Sequence, residues 1–161
     1  MCTFVGNLDS PSSRTSFSSS LSGFLCEITN SHKLEGTGVQ DVRYKEVMES
    51  SELCLCPGGN NFETFRIYES LELGCVPVVN GEDEGFREWR DMVGNFLDGI
   101  RVEEGVVVCS GWEECGGVIE RMGREEGALD GRREGGRRIW EMIKGESRRV
   151  LEDGLGITRE G

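Results

Sequence analysis

Histidine is almost missing from this 161-residue chain: His32 stands alone. One imidazole, set among Asn30, Ser31 and Lys33, supports no Ser/His/Asp or Cys/His constellation unless that residue is itself the base. With no C-x-x-C pair, a zinc centre would also be short of convergent ligands. Basic charge is scarce too. The 18 Lys and Arg face 30 Asp and Glu, a formal net charge of −12, which argues against a general nucleic-acid surface or a surface for acidic membranes. An anionic ligand would have to be held by local geometry. No apolar run approaches the roughly 20 residues needed to cross a bilayer. No G-x-G-x-x-G lies between a strand and a helix, so the usual pyrophosphate turn of dinucleotide-binding domains is lacking. No internal repeat of solenoid length is visible.

The length and a hydrophobic content of 36% suit one domain with a real core. Its clearest stretch is Leu53 to Val79, LCLCPGGNNFETFRIYESLELGCVPVV. Two short apolar runs, Leu53–Cys56 and Cys75–Val79, read as strands buried on both faces. Between them a helix can be capped by Thr64 and closed by Gly74 in a left-handed conformation. That crossover is too long for a hairpin, so the strands are expected to be parallel neighbours. The turn Pro57-Gly58-Gly59 and the helix start then share the carboxyl end of the first strand, where open α/β sheets bind ligands. Arg66 and Glu69, three apart, share one helix face. A cation in the first turn faces the positive helix end, and a bound phosphate would reverse the sign of that interaction. Arg66 is therefore read as a phosphate ligand and Glu69 as an acceptor for sugar or ribose hydroxyls. A plain surface ion pair between Arg66 and Glu69, or Arg66 and Glu63, is the alternative.

Elsewhere the pattern is β-α-β-α-β-α-β-α followed by a weaker strand and helices, which places the chain among three-layer α/β folds with a mostly parallel sheet. Thr3-Phe4-Val5-Gly6 reads as a first strand, without the basic start and apolar stretch of a secretory signal. The serine-rich Ser10 to Ser22 suits either an organelle transit peptide or a loop and weak helix from about Ser13 to Leu21. In the second case Arg14 falls at an anion-friendly helix start, or is simply a solvated arginine. Phe24–Ile28 is a further strand, Tyr44–Ser50 a short helix, and 82–93 an amphipathic segment with Phe86, Trp89, Met92 and Val93 inward. Val106–Cys109 is the last strand, followed by a helix over Trp112–Met122. From Gly123 the charged, glycine-rich GREEGALDGRREGGRR reads as mobile, with a terminal helix marked by Ile139, Trp140, Ile143, Val150 and Leu151. Arg132, Arg133, Arg137 and Arg138 alternate with acids and read as a solvated face. The expected organisation is a nucleotide-binding unit over 1–122, sharpest over 44–79, with 123–161 packing on it. The seven cysteines read as buried small hydrophobes. In an oxidising lumen Cys2 could pair with Cys26, and the odd count leaves at least one free thiol.

The residues Cys54-Leu55-Cys56-Pro57-Gly58-Gly59, Thr64 to Leu71 and Gly74-Cys75-Val76-Pro77-Val78-Val79 resemble the donor-binding segment of exostosin-like glycosyltransferases. The resemblance implies a Rossmann-like domain equivalent to the C-terminal half of a GT-B enzyme. It implies a nucleotide-diphosphate sugar donor, with uridine expected, and a glycan or glycoprotein acceptor. Phe4-Val5-Gly6 and Arg14 are similar to the family's first strand, glycine turn and phosphate-contacting arginine. The implied donor site is thus Gly6, Arg14, Pro57, Gly58, Gly59, Asn60, Thr64, Arg66 and Glu69. Arg14 and Arg66 would stabilise the leaving group, and no motif calls for a metal cofactor. Retaining GT-B enzymes often carry two glutamates eight residues apart; Asn61 stands eight before Glu69, so that motif is absent, and the family resemblance implies an inverting transfer. A general base is not identifiable. Acceptor contacts in such enzymes come largely from an N-terminal domain, so this chain reads as a donor-binding half, with a non-catalytic nucleotide-sugar-binding or partner module as the alternative. The family implies a Golgi or secretory lumen, against a cytoplasmic or organellar alternative.

Overall fold

The computed structural model describes residues 2–6, 26–30, 40–58, 65–95 and 99–155. Five strands, β1 (Cys2–Gly6), β2 (Cys26–Asn30), β3 (Leu53–Leu55), β4 (Val76–Asn80) and β5 (Val107–Cys109), form one sheet in the order β2-β1-β3-β4-β5. Every pairing is parallel. The helices are α1 (Gln40–Glu49), α2 (Phe65–Leu73), α3 (Glu84–Gly94), α4 (Trp112–Arg124) and α5 (Ala128–Leu155), with a 3-10 turn at Val102–Glu104. This is a Rossmann-like α/β domain, and the expected β3-α2-β4 crossover is present as a parallel pair.

Alternation along the strands builds two core layers, as a sheet covered on both faces requires. Leu53, Leu55, Val76, Val78, Val107 and Cys109 meet Trp112, Cys115 and Met122 of α4. On the other face Cys56, Val79 and Val106 meet Ile67 and Leu71 of α2, Phe86, Trp89 and Val93 of α3, and Ile139 and Ile143 of α5. Met92 is exposed, so the inward stripe of α3 is narrower than its sequence pattern. Gly74 closes α2 at φ 76°, its N–H donating to the Leu71 carbonyl while Cys75 donates to that of Ser70. That double bond pattern is the left-handed glycine stop expected at this position. The buried hydroxyl of Ser51 donates to the Val47 carbonyl and sits 2.6 Å from Thr3 Oγ1, tying α1 to β1 without an orphaned polar group.

Two expectations are corrected. The glycine-rich stretch after Gly123 is not irregular: from Ala128 it is the start of the 28-residue α5. Asp130–Arg133 and Glu134–Arg137 pair one turn apart, and Arg132 donates to the carbonyls of Glu103 and Val106. Gly135 and Gly136 are buried where α5 meets the 3-10 turn, so these glycines let two backbones touch. The cysteines are not merely small hydrophobes either. Cys2–Cys26, Cys54–Cys75 and Cys109–Cys115 are disulfides, and Cys56 alone is free and buried. Cys2 and Cys26 are register partners on adjacent strands, which is why the pairing that spacing left open is made. Among the described residues no helix is long and apolar enough to cross a membrane, and no cluster of His, Cys, Asp and Glu could hold a metal ion.

Candidate functional site

The chain leaves β1 toward β2 on one side and returns to β3 on the other, so β1 and β3 flank the point where strand order reverses. Sheets of this order open a crevice outside the carboxyl ends of those two strands. Gly6 ends β1 at that edge, and Pro57 and Gly58 follow β3 there. Pro57 is buried, and Cys56 before it still donates its N–H to the Val78 carbonyl at 2.8 Å, so the turn leaves the sheet only after that bond. Arg14, Gly59, Asn60 and Thr64 lie outside the described residues.

Arg66 and Glu69 sit on the first two turns of α2, as their spacing predicts. Glu69 is exposed and Arg66 half-buried. Both are drawn to α1 by one residue that spacing alone did not single out. Tyr44 donates its hydroxyl to Glu69 Oε2 at 2.5 Å, and the Arg66 guanidinium stands 6.0 Å from the centre of the Tyr44 ring. Burial raises the Tyr44 phenol above its usual range; Arg66 opposes that rise and the bond to Glu69 adds to it. The phenol therefore stays a donor throughout the neutral range.

The same group reaches the end of β3. Burial pushes the Cys56 thiol up to about 11, against the opposing pull of the Ser70 hydroxyl and the Arg66 charge. Ser70 Oγ lies 3.4 Å from Cys56 Sγ and donates to the Arg66 carbonyl at 2.6 Å, which anchors the first turn of α2 to the strand. Tyr44, Cys56, Arg66 and Glu69 thus form one cluster at the carboxyl end of β3.

Asp83 is the other residue that the sequence reading passed over. It caps α3, accepting from Gly85 N at 3.0 Å and Phe86 N at 3.4 Å. Its carboxylate stands so close to Gly58 that a Cβ there would lie 2.2 Å from Oδ2. A side chain at position 58 would have to push the Asp83 carboxylate aside, and Asp83 closes the β4 side of the bend. The capping bonds offset its charge with helix amides. Its signal was a cap residue just before the Glu84 helix, inside the segment read only as amphipathic.

An all-parallel sheet with charged and hydroxylic side chains gathered beside its switch point defines the class as a Rossmann-like α/β domain with a candidate ligand crevice. Residues 1–93 match the RXYLT1 C-terminal domain family, and the chain belongs to that family, the C-terminal domain of exostosin-like glycosyltransferases. Ribitol-5-phosphate xylosyltransferase 1 of Homo sapiens is 33% identical over 85 residues, 49% of this chain and 19% of that protein. Exostosin-1a of Danio rerio is 42% identical over 52 residues, 29% of this chain and 7% of that protein. A probable glycosyltransferase of Arabidopsis thaliana is 40% identical over 40 residues, 25% of this chain and 8% of that protein. The chain therefore spans a fifth or less of the length of these relatives.

Proposed function

We propose that this chain is the donor-binding half of an inverting, exostosin-like glycosyltransferase that takes a nucleotide-diphosphate sugar, a uridine one by family resemblance. The observation that carries the reading is the cluster of Arg66, Glu69 and Tyr44 beside the β1/β3 switch point, within the segment the family match covers. In this reading Arg66, Arg14 and the backbone amides of Gly58 and Gly59 face the diphosphate, and Glu69 accepts from the nucleoside ribose. Gly6, Pro57, Asn60 and Thr64 shape the rest of the cradle. The acceptor hydroxyl attacks the anomeric carbon as the bond to the diphosphate oxygen breaks, and the charge released onto the leaving group meets donors already in place. No motif in the chain calls for a metal in this step. The acceptor, a glycan or glycoprotein, would meet an N-terminal GT-B domain or a partner chain. A Golgi or secretory lumen suits the three disulfides, which persist in oxidising compartments.

The alternative reading is a non-catalytic nucleotide-sugar-binding module, in which the same cluster holds the donor without transfer. Calorimetry separates the outcomes. Uridine diphosphate should bind the wild-type chain, and Arg66→Ala should lose about tenfold or more in affinity, the worth of one charge-assisted contact to phosphate, with an unchanged melting temperature. Equal affinity in the two proteins would refute the assignment of Arg66. Sugar transfer or hydrolysis by the bound chain would favour the catalytic reading, and binding without turnover the module.

A further inference from the structure

We infer that Tyr44 is a positioning residue for nucleoside recognition, holding the Glu69 carboxylate in the orientation that accepts a ribose diol. The inference rests on the donor-binding reading above and adds to it a residue from a different helix. The Tyr44 ring is itself fixed before any ligand arrives. It packs with Met48 and Leu73 against Cys54 and Cys75, the disulfide that ties the β3 strand to the entry of β4. From that anchored ring the hydroxyl reaches Glu69 Oε2 at 2.5 Å, the short range of a phenol donating to a carboxylate.

A carboxylate has two oxygens and about four acceptor positions, so one bond to Oε2 orients the group and leaves Oε1 open. Glu69 is exposed, and a free glutamate at such a place would lose side-chain entropy when a ligand ordered it. Tyr44 has already taken that loss in the folded chain. Its ring also lies within range of the Arg66 guanidinium, so one side chain spaces the group read as facing phosphate from the group read as facing ribose. Burial raises the phenol pKa, which keeps the donor protonated throughout the neutral range.

The test is Tyr44→Phe, which keeps the ring, its packing and its contact with Arg66 while deleting the hydroxyl. Calorimetry with uridine diphosphate and with 2′,3′-dideoxyuridine diphosphate reads the diol contribution directly. The wild-type chain should prefer the ribose form by about tenfold, and the variant should lose most of that preference while binding the dideoxy form as before. A variant that retains the full preference overturns the inference, and so does an equal loss for both ligands, which is what a merely structural role would give. Failure of the wild-type chain to bind either nucleotide overturns the donor-binding reading itself, and this inference with it.

Discussion

Alanine at Gly135 should destabilise the chain although alanine is the better helix former. The position lies inside α5 against the 3-10 turn, and an added Cβ would sit 2.2 Å from the Glu104 carbonyl oxygen and 2.6 Å from its carbon. Both are backbone atoms, so no side chain can swing aside. Restoring ordinary contact requires the helix and the turn to part by about 1 Å, which thins the packing on both sides of the gap. Overpacking of this kind costs about 1–3 kcal/mol. The parting also stretches the bonds from Arg132 to the Glu103 and Val106 carbonyls, each of a class worth about 1.5–3 kcal/mol when made to a charged donor. Against this, alanine gains about 1 kcal/mol in helix propensity. The net expectation is a loss of about 2 kcal/mol, or roughly 4–8 °C in melting temperature for a domain of this size. Gly145 supplies the internal control. It lies in the same helix with nothing near its missing Cβ, so Gly145→Ala should raise stability by about 0.5–1 kcal/mol. Circular dichroism melts of both variants under non-reducing conditions read the two signs. A Gly135→Ala protein that melts at or above the wild-type temperature would refute the seating of α5 on the turn.

The unreduced protein should show one reactive thiol in denaturant and none reacting quickly when native, since only the buried Cys56 is unpaired; three or more thiols in denaturant would contradict the disulfides. Removing the Cys54–Cys75 bridge, which closes a separation of 21 residues, should cost about 3 kcal/mol by chain entropy, against about 2 kcal/mol for Cys109–Cys115 with a separation of 6. Urea titrations of the two double-alanine variants decide that order. The Cys56 thiol gives a pH dependence: its folded pKa of about 11 lies above the value of 9.0 it starts from, so its contribution is complete below about pH 9 and is lost as pH rises toward 11. Wild type should therefore lose about 2–3 kcal/mol more than Cys56→Ala across that window, and parallel urea midpoints would rule it out. Gly58→Ala should displace the Asp83 carboxylate and forfeit its cap, costing about 1–2 kcal/mol alone and markedly less in an Asp83→Ala background. Additive losses in that cycle would show that the two residues do not meet.

The crossover from Leu53 to Val79 was legible because its signals are local: two valine- and leucine-rich runs, a helix spacing and a glycine stop that forms the expected bonds. Strand β2 runs on to Asn30, two residues past its apolar run, because its pairing with β1 continues to the Gly6–Asn30 partners. The glycines of α5 misled for a specific reason. They weaken intrinsic helix propensity, yet Gly135 and Gly136 are what permit the contact with Gly105 that holds the helix in place. The disulfides carried no spacing signature, because each joins residues that only the finished sheet and its flanking helix bring together. Arg66 and Glu69 could be read from one helix face, whereas Tyr44, 25 residues from Glu69, could not.

That division bears on how the candidate site is held. Helix α2, which carries Arg66 and Glu69, is gripped on one flank by Tyr44 of α1 and on the other by α5, where the Trp140 indole N–H donates to Glu72 and the ring lies 6.1 Å from that of Tyr68. The family match ends at residue 93, so the second grip comes from sequence outside it. A helix pinned from both sides cannot roll without breaking one of these contacts, and a roll would carry Arg66 and Glu69 away from the carboxyl end of β3 together. The charged segment that forms α5 thus belongs to the support of the crevice through its contacts with α2. Trp140→Phe, which deletes the N–H and shrinks the ring that meets Tyr68, should consequently weaken uridine diphosphate binding by a few-fold without touching a ligand group. An unaffected affinity would mean that α1 and the core beneath α2 suffice to hold it.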